Sequence, residues 1–129
     1  MNPLAIDPAV SSGFETATLR ELVVDIGATE ARGLLRTLLV ELPKRARALA
    51  SAESAADLPV VVHHAHVLKG MGMTFGARLL AEYAQQVELA GRAGDSDTAL
   101  PLCRLLRAEV DATVALLAAA PPWLREALS

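Results

Sequence analysis

Three histidines fall within four positions, His63, His64 and His66, and a lysine and a glycine follow at Lys69 and Gly70. Two chemistries are open to such a cluster. Residues three apart on a helix are surface neighbours, so His63 and His66 could share a metal ion. Alternatively, one exposed imidazole could act as a nucleophile or carry a phosphoryl group, with the Lys69 ammonium one turn away to meet the phosphate charge.

The element that carries the cluster discriminates between them. Asp57 followed by Pro59 is a helix start, and Phe75-Gly76 is a stop, which predicts a helix over 59–74. At about 100° per residue, Val61, Ala65, Leu68, Gly72 and Phe75 gather on one side as a core face. His66 lies opposite, flanked within about 60° by Val62, Lys69, Gly70 and Met73. An isolated exposed histidine would ordinarily be plain surface, but its neighbours here are unusual. Gly70 clears the space one turn on and costs about 1 kcal/mol of helix propensity relative to alanine. Close approach by a partner would offset that cost, and Val62 and Met73 add the apolar surface that a docking protein buries. His64 falls near the core boundary as a packed or capping residue. His63 is solvated or a rim contact. The metal reading is the weaker of the two, because metal sites in helical bundles project Glu and His inward from several helices. This helix has no Glu, and both histidines point outward.

Around this helix the chain reads as all-α. It is 53% hydrophobic but only 3% aromatic, so a core of Leu, Val and Ala is expected, as in packed helices. Its 129 residues suffice for one domain. Residues 1–13, with Pro3, Pro8 and Gly13, read as an N-terminal arm. A short helix over 15–26 ends at Gly27, and Thr29 is placed to cap a long helix reaching Ala50, with Pro43 bending it rather than breaking it. After a polar link over 51–57 comes the histidine helix. A further helix follows with Leu80, Tyr83, Ala84, Val87 and Ala90 inward, ending at Gly94. The last long helix carries Cys103, Leu106, Val110, Thr113 and Leu117 and stops at Pro121-Pro122. Pro101 is tolerated only in a first turn, which puts that helix start nearer Leu100 than Asp97. Residues 121–129 read as a C-terminal tail with one terminal turn.

With twelve Lys and Arg against fifteen Asp and Glu and no dense basic run, nucleic acid is not an expected partner. The lone Cys103 cannot form an intrachain disulfide. No apolar run is long enough for a membrane span, and a cytoplasmic location is expected.

The stretch His66-Val67-Leu68-Lys69-Gly70, the later Gly76-Ala77 and Leu80, and the closing Val87-Glu88 with Arg92 resemble the signature of the histidine phosphotransfer (HPt) domain family. The likeness extends over about residues 15–120 and departs from the family pattern at Met71, Met73 and Thr74, which bears on partner specificity. It implies an antiparallel four-helix bundle over 14–120, with the short N-terminal helix and arm as additions. It also implies a phosphorelay carrier in which His66 is phosphorylated, Lys69 stabilises the phosphate and Gly70 gives clearance. Glu88 stands where some members have a Gln that orients the imidazole; it could accept the Nδ1 proton and leave Nε2 as nucleophile, or simply pair with Arg92 at i,i+4. Val62, His63, Met73, Gln85, Gln86 and Arg92 are the candidate partner-binding residues. The implied partners are receiver domains of response regulators and hybrid histidine kinases. No cofactor of its own is expected, the Mg2+ belonging to the receiver. With no phosphate-binding G-x-x-x-x-G-K-[ST] loop, self-phosphorylation is not expected: the protein is a carrier, not a kinase. A monomer is the default. The competing readings are an HPt-like adaptor that docks receiver or kinase domains without phosphotransfer and, less favoured, a metal-binding helical protein.

Overall fold

In the computed structural model the described residues are 13–129, so the arm expected over 1–13 lies, apart from Gly13, outside them. They form six helices: α1 (Thr16–Ile26), α2 (Ala28–Ser54), α3 (Leu58–Phe75), α4 (Arg78–Arg92), α5 (Ser96–Ala119) and α6 (Pro122–Leu128). Among the described residues there are no strands, only one isolated antiparallel bridge between Phe14 and Ala77. The short links between α2, α3, α4 and α5 make successive helices antiparallel neighbours. α2 packs on α5 as well as on α3, and α4 packs on both α3 and α5, which closes a four-helix bundle. Its core is aliphatic, with Leu42, Leu49, Val61, Leu68, Leu80, Val87, Leu106 and Val110 buried from all four helices.

Local chemistry sets the ends of α3. The Asp57 side chain accepts from Val60 N–H at 3.4 Å and Pro59 sits in the first turn, where its missing N–H is no loss. At the other end Gly76 takes the left-handed conformation, φ 79°, and its N–H bonds to Gly72. A Cβ at Gly76 would run into the Glu15 carbonyl and the Thr18 side chain. The same turn is stitched to the segment before α1, with Glu15 N–H donating to Gly76 O at 2.6 Å and Arg78 N–H to Gly13 O at 3.1 Å. The Gly76-Ala77 pair therefore stops one helix and seats the N-terminal segment.

Several expected boundaries move. Helix α2 begins at Ala28 with Gly27, not Thr29, as its cap; Gly27 also closes α1 by donating to Val23 O, so one residue serves both ends. The same helix runs through Pro43 and on to Ser54 rather than stopping at Ala50, because Ala52 is in the core and Glu53 pairs with Arg107 of α5 at 3.1 Å. The polar link shrinks accordingly to residues 55–57. Helix α5 starts at Ser96, not near Leu100, with Pro101 inside it. Asp95 caps Thr98 N–H at 3.2 Å and buried Ala99 anchors the first turn, while the hydrogen bond that Pro101 forgoes belongs to Asp97, which is exposed to water. Residues 121–129, expected as a tail, contain α6, which packs on α1 and α2 and inserts Leu124, 1% exposed. Arg32 of α2 holds its end by donating to Leu128 O at 2.6 Å. α1 and α6 thus close the end of the bundle where α2 starts and α3 and α5 finish, over Leu38, Phe75 and Leu117.

Candidate functional site

His66 projects from the middle of α3 with 60% of its side chain exposed, on the face opposite buried Val61, Ala65 and Leu68. Across the α3–α4 seam its Nδ1 lies 2.7 Å from Glu88 Oε2. Glu88 is only 5% exposed, which would be costly for a lone carboxylate. It is not alone. Lys69 donates to Oε1 at 2.7 Å, and Arg92 donates to Oε2 through Nη2 at 2.9 Å and Nε at 3.3 Å. The Lys69 hydrogen bond, with those of Arg92 and His66, overrides the opposing effect of burial and holds the Glu88 carboxyl down at about 2. Glu88 is therefore ionised at neutral pH and can only accept. In that contact His66 Nδ1 is the donor, and in the neutral imidazole this tautomer leaves the lone pair on Nε2. Nε2 has no hydrogen-bond partner among the described residues. Of the two roles open to Glu88, contact with the imidazole and pairing with Arg92, the structure contains both.

Small residues bring the seam this close. A Cβ on Gly72 would meet Ala77 O at 2.9 Å and Ala81 N at 3.0 Å, and one on Gly91 would meet Val62 Cγ2 at 2.5 Å. Gly70 differs: a Cβ there meets nothing within 4 Å, so nothing within the fold requires a glycine.

Among the other expected residues, Met73 is exposed, as are His63, Gln85 and Arg92, whereas Val62 is half-buried under Gly91. Gln85 stands one turn before Glu88 on the side toward α3. Gln86 is exposed but lies about 160° around α4 from Glu88, so it does not border the His66 face as expected. His64 turns the other way, toward α2, where Arg45 Nη1 approaches its Nδ1 at 3.0 Å. Burial, then the charges of Arg45 and His63, lower its pKa. Among the described residues no group of three or more His, Cys, Asp or Glu is placed to hold a metal ion.

Sequence reasoning missed that Glu88 is buried. On α4 the buried set is Leu80, Ala81, Ala84, Val87, Glu88 and Gly91, centred nearer α3 than the expected inward set with Tyr83 and Ala90. The small residues Ala81, Ala84 and Gly91 were the available signal, since close helix approach needs them. Also missed was the groove of about 610 Å3 beside Val62, lined by Leu58, Pro59, Gly91, Arg92 and Gly94.

The described residues thus form a four-helix bundle with an exposed imidazole on α3 in contact with a buried carboxylate of α4. The model of the Hpt domain family matches residues 33–116, and the chain belongs to that family. It is similar to the crystal structure of histidine-containing phosphotransfer protein B (HptB) from Pseudomonas aeruginosa PAO1, at TM-score 0.76 and 28% identity, over 83% of this chain and 92% of that one. No curated protein matches it by sequence. The protein is thus a histidine phosphotransfer protein of the phosphorelay type, a phosphocarrier. No helix among the described residues is long and apolar enough to cross a membrane.

Proposed function

We propose that the protein carries a phosphoryl group on Nε2 of His66 and exchanges it with the aspartate of receiver domains in response regulators and hybrid histidine kinases. The observation that carries this reading is the 2.7 Å contact between His66 Nδ1 and the buried Glu88 carboxylate, which leaves the outward nitrogen as the nucleophile. In the forward step Nε2 attacks the phosphorus of the receiver's aspartyl phosphate in line. The P–Nε2 bond forms as the P–O bond breaks, and the electron pair leaves on the aspartate carboxylate. The imidazole becomes a phosphorylated cation whose Nδ1–H stays hydrogen-bonded to the Glu88 carboxylate, which stabilises that charge. Lys69, which donates to Glu88 in the unphosphorylated protein, stands one turn from the imidazole and is the cation that meets the transferring group from the protein side, and the receiver brings its own metal ion.

The docking surface in this reading is the exposed stripe of α3 with its flank on α4. His63, Met73 and Gln85 form its rim, and Val62 contributes through the groove it lines. Gly70 leaves the receiver room beside the imidazole. In this reading the carrier works in the cytoplasm.

Transfer of labelled phosphate from a phosphorylated receiver tests the reading, run on wild type, His66→Ala and His63→Ala with acid lability of the product scored. Wild type and His63→Ala should take up acid-labile label and His66→Ala none. Loss in His63→Ala instead would move the chemistry to the neighbouring ring, and no uptake by any of the three from a panel of receivers would leave an adaptor.

A further inference from the structure

Resting on that proposed function, the distribution of donors over the two oxygens of Glu88 points to a role for Arg92 that is not partner binding. Among the described residues Oε1 is held by Lys69 alone, at 2.7 Å, whereas Oε2 is shared by His66 Nδ1 and Arg92. Lys69 thus faces two demands: it neutralises a buried carboxylate in the resting protein, and the phosphoryl group on the neighbouring imidazole needs a cation. We propose that Arg92 is a positioning residue that keeps Glu88 charged and seated on His66 while Lys69 leaves Oε1 for the phosphoryl group.

The geometry allows such an exchange without repacking. Lys69 is a flexible ammonium on an edge position, with 27% of its side chain exposed. Arg92 is fixed on the same helix as Glu88, four residues on, and its fork already spans Nε and Nη2 against Oε2. When Lys69 departs, Oε2 keeps both its partners, the Arg92 guanidinium and the phosphorylated imidazolium. Without Arg92, departure of Lys69 would leave the buried carboxylate with the imidazolium as its single partner and one charge-assisted contact fewer. Lys69 would then stay on Glu88 and the phosphoryl group would go without its cation. The Nδ1 proton remains on the ring throughout, so the step releases no proton and needs no base.

The test loads His66 chemically with phosphoramidate, a small phosphoryl donor that phosphorylates exposed imidazoles, so that uptake does not depend on a receiver. The 15N resonances of the Lys69 ammonium and of the His66 ring are followed before and after loading in wild type, Arg92→Gln and Arg92→Lys. In wild type the Lys69 resonance should move on phosphorylation while Nδ1 stays protonated. In Arg92→Gln the Lys69 resonance should be unchanged by phosphorylation, and the equilibrium with a receiver should shift about tenfold toward aspartyl phosphate, the size expected for losing a charge-assisted contact. Arg92→Lys, which restores a cation at i,i+4, should recover most of both effects. The inference is overturned if Lys69 moves equally in wild type and Arg92→Gln, or if it is already free of Glu88 before loading. Chemically loaded protein that gives no phosphate to any receiver, with the Lys69 shift intact, would contradict the relay reading instead.

Discussion

Glu88 and Gly70 are the two residues at which the structure changes the meaning of the sequence most. The spacing of Glu88 allowed contact with the imidazole or pairing with Arg92. Spacing could not reveal that one buried carboxylate does both, because that depends on how closely α4 approaches α3. The consequence is a pH dependence with a definite sign. The Glu88 carboxyl is lowered from an ordinary 4.5 to about 2, with Lys69 the largest cause. Its contribution to stability is therefore complete above about 4.5 and is lost as pH falls toward about 2. Urea unfolding over that acidic range should show a smaller loss of stability in Glu88→Gln than in wild type; parallel profiles would mean that Glu88 is not held as described. Gly70 has open space around it, so Gly70→Ala should raise the stability of the free protein by about 1 kcal/mol while slowing uptake from a phosphorylated receiver. Thermal unfolding and transfer rates on the same variant check both, and unimpaired uptake would remove the argument that the receiver needs this clearance.

At the scale of elements, the identity and order of the helices were legible because period and punctuation agree: Asp57-Pro59 starts α3, and Gly27, Gly76 and Gly94 fall where the chain must take a positive φ. The boundaries that moved did so for tertiary reasons. α2 gains a turn from the burial of Ala52 and the pairing of Glu53 with Arg107, and α5 starts early because Asp95 caps it. Where α2 ends, Ala56 takes φ 52° and Asp57 N–H reaches Ala52 O at 2.9 Å, a left-handed turn of the kind that glycine makes more cheaply. Ala56→Gly should stabilise the protein by up to about 1 kcal/mol, since relief of the left-handed strain exceeds the added chain entropy. Gly76→Ala has the opposite sign. It combines a positive φ with a collision against Glu15 and Thr18, and should cost about 2–4 kcal/mol. Denaturant midpoints on the pair give the comparison, and equal effects would contradict the assigned backbone conformations.

For the whole molecule, the four-helix bundle follows from periodicity and from the His66-to-Arg92 resemblance, whereas its closed end does not. Nothing in the residues of 121–129 indicates where they dock, because that depends on the gap left between α1 and α2. Leu124, 1% exposed, fills it, and Leu124→Ala should cost about 2–5 kcal/mol, measurable by thermal unfolding; a surface-like loss of a few tenths would mean that α6 is not part of the core. That closed end lies along α3 from His66, so the variant should leave phosphoryl uptake intact at temperatures where it is folded. The central claim is that the fold presents Nε2 of His66 as its nucleophile by holding Nδ1–H in a hydrogen bond to the Glu88 carboxylate. Phosphorylating the protein from a receiver and locating the phosphorus by 31P–15N NMR tests it most directly. The account predicts phosphorus on Nε2 of His66 with Nδ1 protonated; phosphorus on Nδ1, or on His63, would contradict it.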